Sequence, residues 1–159
     1  MERQHWLDGT LYSPDFEQDS CGFGLIAQID DQPSHTLVQN AIGSLACMTH
    51  RGAIAADGLS GDGCGLLFKK PDAFLRAVAG EAGFALGNLY AAGLVFLSRE
   101  ATPQMQARAT LKAELEAQGL SVAGFRLVPT DPKVCGASAL ESLPHIEQVF
   151  VNAPAGVSE

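Results

Sequence analysis

From residue 21 the chain turns almost continuously apolar, through Cys21-Gly22-Phe23-Gly24-Leu25-Ile26-Ala27, and the run closes at Asp30-Asp31-Gln32-Pro33. A short apolar run with no polar alternation predicts a strand over 21–29, buried on both faces. Ser34 then stands where an N-cap belongs. Leu37, Val38, Ala41, Ile42, Leu45 and Met48 follow at three- and four-residue spacings, which predicts a helix with one buried stripe. Cys47 lies beside that stripe and reads as a core residue. The helix gives out at Thr49-His50-Arg51-Gly52, where Gly52 suits a left-handed C-terminal position and Arg51 a helix C-terminus.

Glycines punctuate the next stretch, Gly58-Leu59-Ser60-Gly61-Asp62-Gly63-Cys64-Gly65. A phosphate-binding loop is disfavoured, because no Gly-Lys-Ser/Thr follows and the string leads toward an apolar run at 65–68 that predicts a strand. Asp62-Gly63 reads as a tight turn with glycine supplying positive φ. Pro71-Asp72 opens a helix with Phe74, Leu75 and Val78 inward. A buried strand is predicted at 89–97. Thr102-Pro103 caps and starts a helix that runs to about residue 118 and stops at Gly119, with Arg108, Lys112, Glu114 and Glu116 on its solvated face. Alternation at 121–128 gives a strand, 129–132 a loop and 147–152 a last strand. Residues 1–20 hold Pro14, scattered acids and three aromatics without a sustained period, and read as a leader with a few anchoring contacts or as a frayed terminus.

At 159 residues with 47% hydrophobic and 18% charged side chains, the chain is sized and composed as one soluble globular domain. No apolar run approaches the ~20 residues of a bilayer helix, and the first residues lack the basic-then-apolar layout of a secretory signal, so a cytoplasmic location is expected. A net charge of −8 disfavours nucleic acid and anionic membrane as partners. Half of that excess lies in the leader, where Glu2, Asp8, Asp15, Glu17 and Asp19 oppose Arg3. The cysteines at 21, 47, 64 and 135 form no CxxC pair and no short spacing to His5, His35, His50 or His145, so no metal site is expected and all four thiols are expected to be reduced.

Cys21 is the candidate nucleophile. Freed as an N-terminus it would carry its own base, since an α-amine titrating at about 7.7–8.0 would sit a few bonds from the sulfur. Gly22 and Gly24 would let the backbone run close to a substrate. The same residue read without that cleavage is a small buried thiol opening a core strand.

Longer motifs bear on that choice. Leu11-Tyr12-Ser13-Pro14 and Glu17-Gln18-Asp19-Ser20-Cys21-Gly22-Phe23-Gly24 resemble the propeptide junction and mature N-terminus of the large subunit of bacterial glutamate synthases. Met48-Thr49-His50-Arg51-Gly52-Ala53-Ile54-Ala55-Ala56-Asp57-Gly58, Gly61-Asp62-Gly63-Cys64-Gly65-Leu66-Leu67 and Leu143-Pro144-His145-Ile146-Glu147-Gln148-Val149-Phe150-Val151-Asn152-Ala153-Pro154 are similar to later blocks of that family's class II glutamine amidotransferase domain. The resemblance runs from about Leu11 to the end and covers the first part of that domain.

The resemblance implies residues 1–20 as a propeptide and 21–159 as part of an amidotransferase domain. It implies an α+β fold, the four-layer αββα sandwich of N-terminal-nucleophile hydrolases, incomplete in this chain. The alternation of strands and helices alone suggests a three-layer α/β sheet instead. By resemblance Cys21 attacks the side-chain amide of glutamine, releases ammonia and leaves a glutamyl thioester that water resolves. Arg51, Gly52, Asp62 and Gly63 would wall the pocket, and His50 is not required as a base. FMN and iron–sulfur clusters are implied for the full-length enzyme, with the rest of the large subunit and a small subunit as partners, and none of those cofactor sites is expected here. The spacing of the cysteines does not resemble a cluster-binding run. A catalytically silent module contributing only packing surface is the other reading.

Overall fold

The computed structural model describes residues 22–48, 57–61, 63–154 and 156–157. It divides into two compact units: residues 1–55 with 61–66, and residues 56–60 with 67–159.

In the first unit the local signals around Ser34 act as expected. Helix α1 spans His35–Cys47, and the Ser34 hydroxyl oxygen accepts the Leu37 N–H at 3.3 Å from an extended N-cap backbone. Leu37, Val38, Ala41, Leu45 and Met48 are half-buried, as their spacing predicts. Ile42 and Cys47 are exposed, which corrects their expected place in a core. Residues 22–29 form no strand, and Phe23, Leu25 and Ile29 are largely exposed. Apolar composition does not make a strand unless another segment supplies the ladder of backbone hydrogen bonds. The same correction holds for 65–68, where Leu67 and Phe68 are exposed.

The second unit is built on a three-stranded sheet. Helix α2 (Asp72–Glu81) leads to β1 (Tyr90–Leu97), α3 (Ala101–Ala117), β2 (Ser121–Leu127), a single 3-10 turn (Pro132–Val134), α4 (Ala137–Ser142) and β3 (His145–Asn152). The strands lie in the order β1-β3-β2 and every neighbouring pair is antiparallel. The last strand therefore enters between the first two. Its sequence suits that position, because Val149, Phe150 and Val151 are buried in succession, whereas β1 is buried only at its two ends and β2 at no position. Register runs from Tyr90 opposite Asn152 to Leu97 opposite His145, and β2 carries an irregularity between Val122 and Gly124.

The period of two assigns the helices to opposite faces. Tyr90 and Phe150 share one face, and with Leu75, Val78 and Ala79 of α2 they form the buried core. Phe74 is exposed, a correction: with Leu75, Val78 and Ala79 inward, a residue one position earlier is rotated by about 100°. Phe150 is fully buried and its ring lies 6.1 Å from that of Phe84, which itself covers Gly124. Each such side chain contributes about 1.5–3 kcal/mol by leaving water.

Helix α3 lies on the other face through the half-buried Gln104, Arg108, Leu111 and Leu115. Its N-cap is Glu100, not Thr102; the Ser98 hydroxyl oxygen accepts the Glu100 N–H, and Thr102 and Pro103 sit inside the first turn where a missing N–H costs nothing. Gly119 ends the helix at φ +78°. The unit is thus α+β, with an antiparallel sheet and a helix on each face.

Candidate functional site

Of the residues singled out for chemistry, Cys21, Arg51, Gly52 and Asp62 lie outside the described residues. Gly63 is described, exposed and at φ +100°, the left-handed region that its glycine permits. Cys64 is free and exposed.

The best-defined polar geometry near these positions in sequence is the turn Asp57-Gly58-Leu59-Ser60. Asp57 Oδ1 accepts the N–H groups of Leu59 at 3.0 Å and Ser60 at 2.8 Å, while the Ser60 hydroxyl donates to Asp57 Oδ2 at 2.6 Å. Gly58 makes the turn possible at φ +69°. The Ser60 hydroxyl, then the N–H groups of Ser60 and Leu59, and last the N–H of Ser138 on α4, draw the Asp57 carboxyl down from 3.8 to about 2. Gly136, the N-cap of α4, is buried against this turn, and a Cβ there would fall on Asp57 Oδ2 and Ser60 Oγ.

Two further networks order the second unit. Arg76 of α2 donates from Nε to Asp72 at 2.8 Å and from its terminal nitrogens to the carbonyls of Leu86, Gly87 and Asn88. Asn152, at the end of β3, accepts the Gly87 N–H at 2.9 Å and donates to the Ala85 carbonyl at 3.2 Å. The 85–88 connection is therefore held from both sides. Arg108 turns inward to Glu147 on β3, which corrects its expected place on a solvated face.

Among the described residues no three His, Cys, Asp or Glu side chains converge as metal ligands, and Cys47, Cys64 and Cys135 stand free. These residues do not fit an iron–sulfur cluster. An open apolar cavity of about 290 Å³ lies between the end of α3 and the sheet, lined by Leu89, Tyr90, Leu115, Leu120 and Val151 among others. With no polar group aimed into it, it offers no chemistry.

Sequence reasoning missed Asp57, Ser60 and Gly136. An Asp-Gly-x-Ser string is a legible turn signal, but its partner lies far along the chain.

The sequence profile of the class-II glutamine amidotransferases matches residues 21–159. The chain belongs to this family. Its relatives are glutamate synthases. It is 38% identical to "Ferredoxin-dependent glutamate synthase 2" of Synechocystis over 142 residues, which is 88% of this chain and 9% of the relative. Against "Glutamate synthase [NADPH] large chain" of Bacillus subtilis the identity is 34% over 149 residues, covering 94% and 10%. Against "Glutamate synthase [NADH]" of Schizosaccharomyces pombe it is 39% over 144 residues, covering 89% and 7%. The chain thus spans about a tenth, or less, of the length of these relatives. Among the described residues no helix is long and apolar enough to cross a membrane.

Proposed function

We propose that this chain is the nucleophile-bearing part of a glutamine amidotransferase of the glutamate synthase type, with Cys21 as the nucleophile and residues 1–20 as a leader removed to expose it. The observation that carries this reading is that the family match begins at Cys21 itself, where the sequence changes from a charged leader to the Cys-Gly-Phe-Gly string. In that reading the Cys21 thiol gives its proton to the freed α-amine and the thiolate attacks the side-chain amide carbon of glutamine. The α-ammonium passes that proton to the amide nitrogen, so ammonia leaves as the glutamyl thioester forms, and water then breaks the thioester to give glutamate and the free thiol. Arg51, Gly52, Asp62 and Gly63 wall the pocket around the substrate.

The four-layer αββα sandwich of N-terminal-nucleophile hydrolases is the architecture to which these units would contribute. Antiparallel pairing throughout the described sheet supports the α+β class over a parallel α/β sheet. FMN and the iron–sulfur clusters would be held by other parts of a complete synthase, as would the contacts to a small subunit, and the ammonia would be used there in glutamate biosynthesis. The relatives' names carry three electron donors, ferredoxin, NADPH and NADH, at similar identity over this segment, so the donor is not specified here. A cytoplasmic location accords with the composition. The family assignment does not favour the silent-module reading.

Mass spectrometry of the purified mature protein tests the proposal. A chain that begins at Cys21 and takes up one equivalent of a glutamine-mimicking electrophile at that residue is the expected result. Glutaminase turnover by a protein that retains Met1 would contradict it, because an amide nitrogen at Cys21 is no base and the leader would cross the pocket mouth.

A further inference from the structure

β1 and β2 run parallel, because each is antiparallel to β3, which fills the gap between them, and α3 is the crossover that joins them. These are the first three strands and the first helix of a split β-α-β module, the arrangement β-α-β-β-α-β in which a second helix leads from the third strand to a fourth. A fourth strand needs an open edge. Among the described residues two strands present one, β1 and β2.

The two edges are not equivalent. β2 carries Arg126 and the irregularity between Val122 and Gly124, both of which discourage further pairing. β1 reads Tyr-Ala-Ala-Gly-Leu-Val-Phe-Leu, with no charge and no proline, in unbroken register with β3. The Leu89 carbonyl accepts the Ala153 N–H, so the alternation of an antiparallel ladder turns the backbone groups of Ala91, Gly93, Val95 and Leu97 toward β3. Those of Tyr90, Ala92, Leu94 and Phe96 face the open side.

Handedness selects the face. Crossovers between parallel strands are right-handed, and α3 makes one from β1 to β2. A crossover from β3 past β1 runs from a reversed strand in the reversed direction, so the same hand returns it to the α3 face. There, beside β1, lies the apolar cavity walled by Leu89, Ala91, Leu115, Leu120 and Val151. Ala153, the first residue after β3, also lines it, so the chain leaves the sheet at the cavity itself.

We propose that the cavity and the open edge of β1 receive one continuous segment of the same natural polypeptide from beyond residue 159, a helix that fills the cavity and then a strand antiparallel to β1. The relatives have chain to supply it, since the match spans 10% or less of their length. The inference goes beyond the amidotransferase reading and does not rest on Cys21.

The test uses the full natural chain that carries this sequence. In the unsubstituted protein the outward amides of Ala92, Leu94 and Phe96 are expected to exchange as slowly as those bonded to β3, giving the 90–97 segment about twice the protected amides that β3 alone supplies. A benzophenone side chain is then placed at Ala91, on the cavity, and in a second variant at Phe96, an exposed aromatic, with exchange of β3 as the readout of folding. Both are expected to photo-crosslink within their own polypeptide to residues beyond 159, the Ala91 partner preceding the Phe96 partner in sequence. Fast exchange of the outward amides in the unsubstituted chain would overturn the proposal. So would cross-links to a second copy or to residues of the first unit, or no cross-link from either position while β3 stays protected.

Discussion

Arg108 on α3 and Glu147 on β3 are joined across the helix–sheet interface, with Arg108 Nε 2.6 Å from Glu147 Oε2 and a second contact from Nη2 to Oε1. His145 Nε2 lies 2.8 Å from the same Oε1, and the guanidinium sits 5.8 Å from the Phe125 ring centroid. Glu147 is 2% exposed, so its charge depends on these partners. Removing one partner of a buried pair typically costs about 3–5 kcal/mol. Because His145 remains and Arg108 is 38% exposed, Arg108→Ala is expected near the lower end, about 3 kcal/mol. Urea unfolding of the two proteins measures it; a difference within about 0.5 kcal/mol, the usual range for a surface substitution, would show that the pair contributes little.

Acid should weaken the Asp57 turn. Its carboxyl titrates at about 2 in the folded protein against 3.8 ordinarily, so folding favours the ionised form. The sign follows: the contribution is complete above 3.8 and is lost as pH falls toward about 2. Asp72 is also drawn down, by the Tyr90 hydroxyl and Arg76, and will weaken in the same direction. Comparison with Asp57→Asn isolates the Asp57 share. The gap in melting temperature between wild type and Asp57→Asn is expected to be flat near neutral pH and to narrow below about pH 4. A gap that stays constant into acid would mean the carboxylate's charge is not what the turn uses.

The alkaline side carries the opposite sign at Tyr90. Burial first, and then its hydrogen bond to Asp72 at 2.8 Å, raise the phenol above 10.0. A raised value means stability is intact below pH 10.0 and lost as pH climbs through the folded value. Tyr90→Phe should therefore be less stable than wild type at pH 8 and lose that disadvantage at strongly alkaline pH, as followed by circular dichroism.

Much of this architecture was legible from local signals, and the exceptions share a cause. Ser34 before a three-and-four repeat, Pro71-Asp72, and Gly119 after a helix all act within a few residues, and all three mark real boundaries. The strands β1, β2 and β3 fall where apolar or alternating runs predict them. The runs at 22–29 and 65–68 have the same composition and no ladder, because pairing depends on a partner that no window contains. Helix α4 was hidden for a related reason: it is six residues long, too short to show a period, and the Asp57 contact at its start comes from far upstream. Arg108 looked like an ordinary surface cation until the sheet placed Glu147 opposite it. At the candidate site the sequence supplied motif order, not geometry.

Gly124 is the sharpest packing prediction. It lies opposite Phe150 beside the irregularity in β2, and a Cβ added there would overlap the Phe84 ring. Phe84 cannot retreat freely, because its ring also packs against Phe150 and the core. Gly124→Ala is expected to destabilise by about 1–3 kcal/mol, the usual range for overpacking. Gly93→Ala, whose added Cβ would meet only Val149 Cγ1 at 4.0 Å, serves as the control and should change stability far less.

The last prediction concerns the reach of the 159 residues themselves. By resemblance, class II amidotransferases hold the oxyanion of the tetrahedral intermediate with an Asn-Gly pair and grip the glutamine carboxylate and amine with an Arg and an Asp, all beyond the motifs matched here. This chain contains no Asn-Gly dipeptide: Asn40 and Asn152 precede Ala, and Asn88 precedes Leu. The structure gives Asn152 a different task, since both ends of its amide are engaged by Gly87 and Ala85. Losing one oxyanion donor costs about 10²–10³ in rate, and loss of the substrate clamp adds a separate penalty. Cleaved at Cys21, the 159-residue protein should therefore release ammonia from glutamine at least about 10²-fold more slowly than a chain extended through the complete domain. Comparable turnover in the two would mean that donors within this chain replace the missing ones, and the search for them would begin at the backbone N–H groups around Gly63.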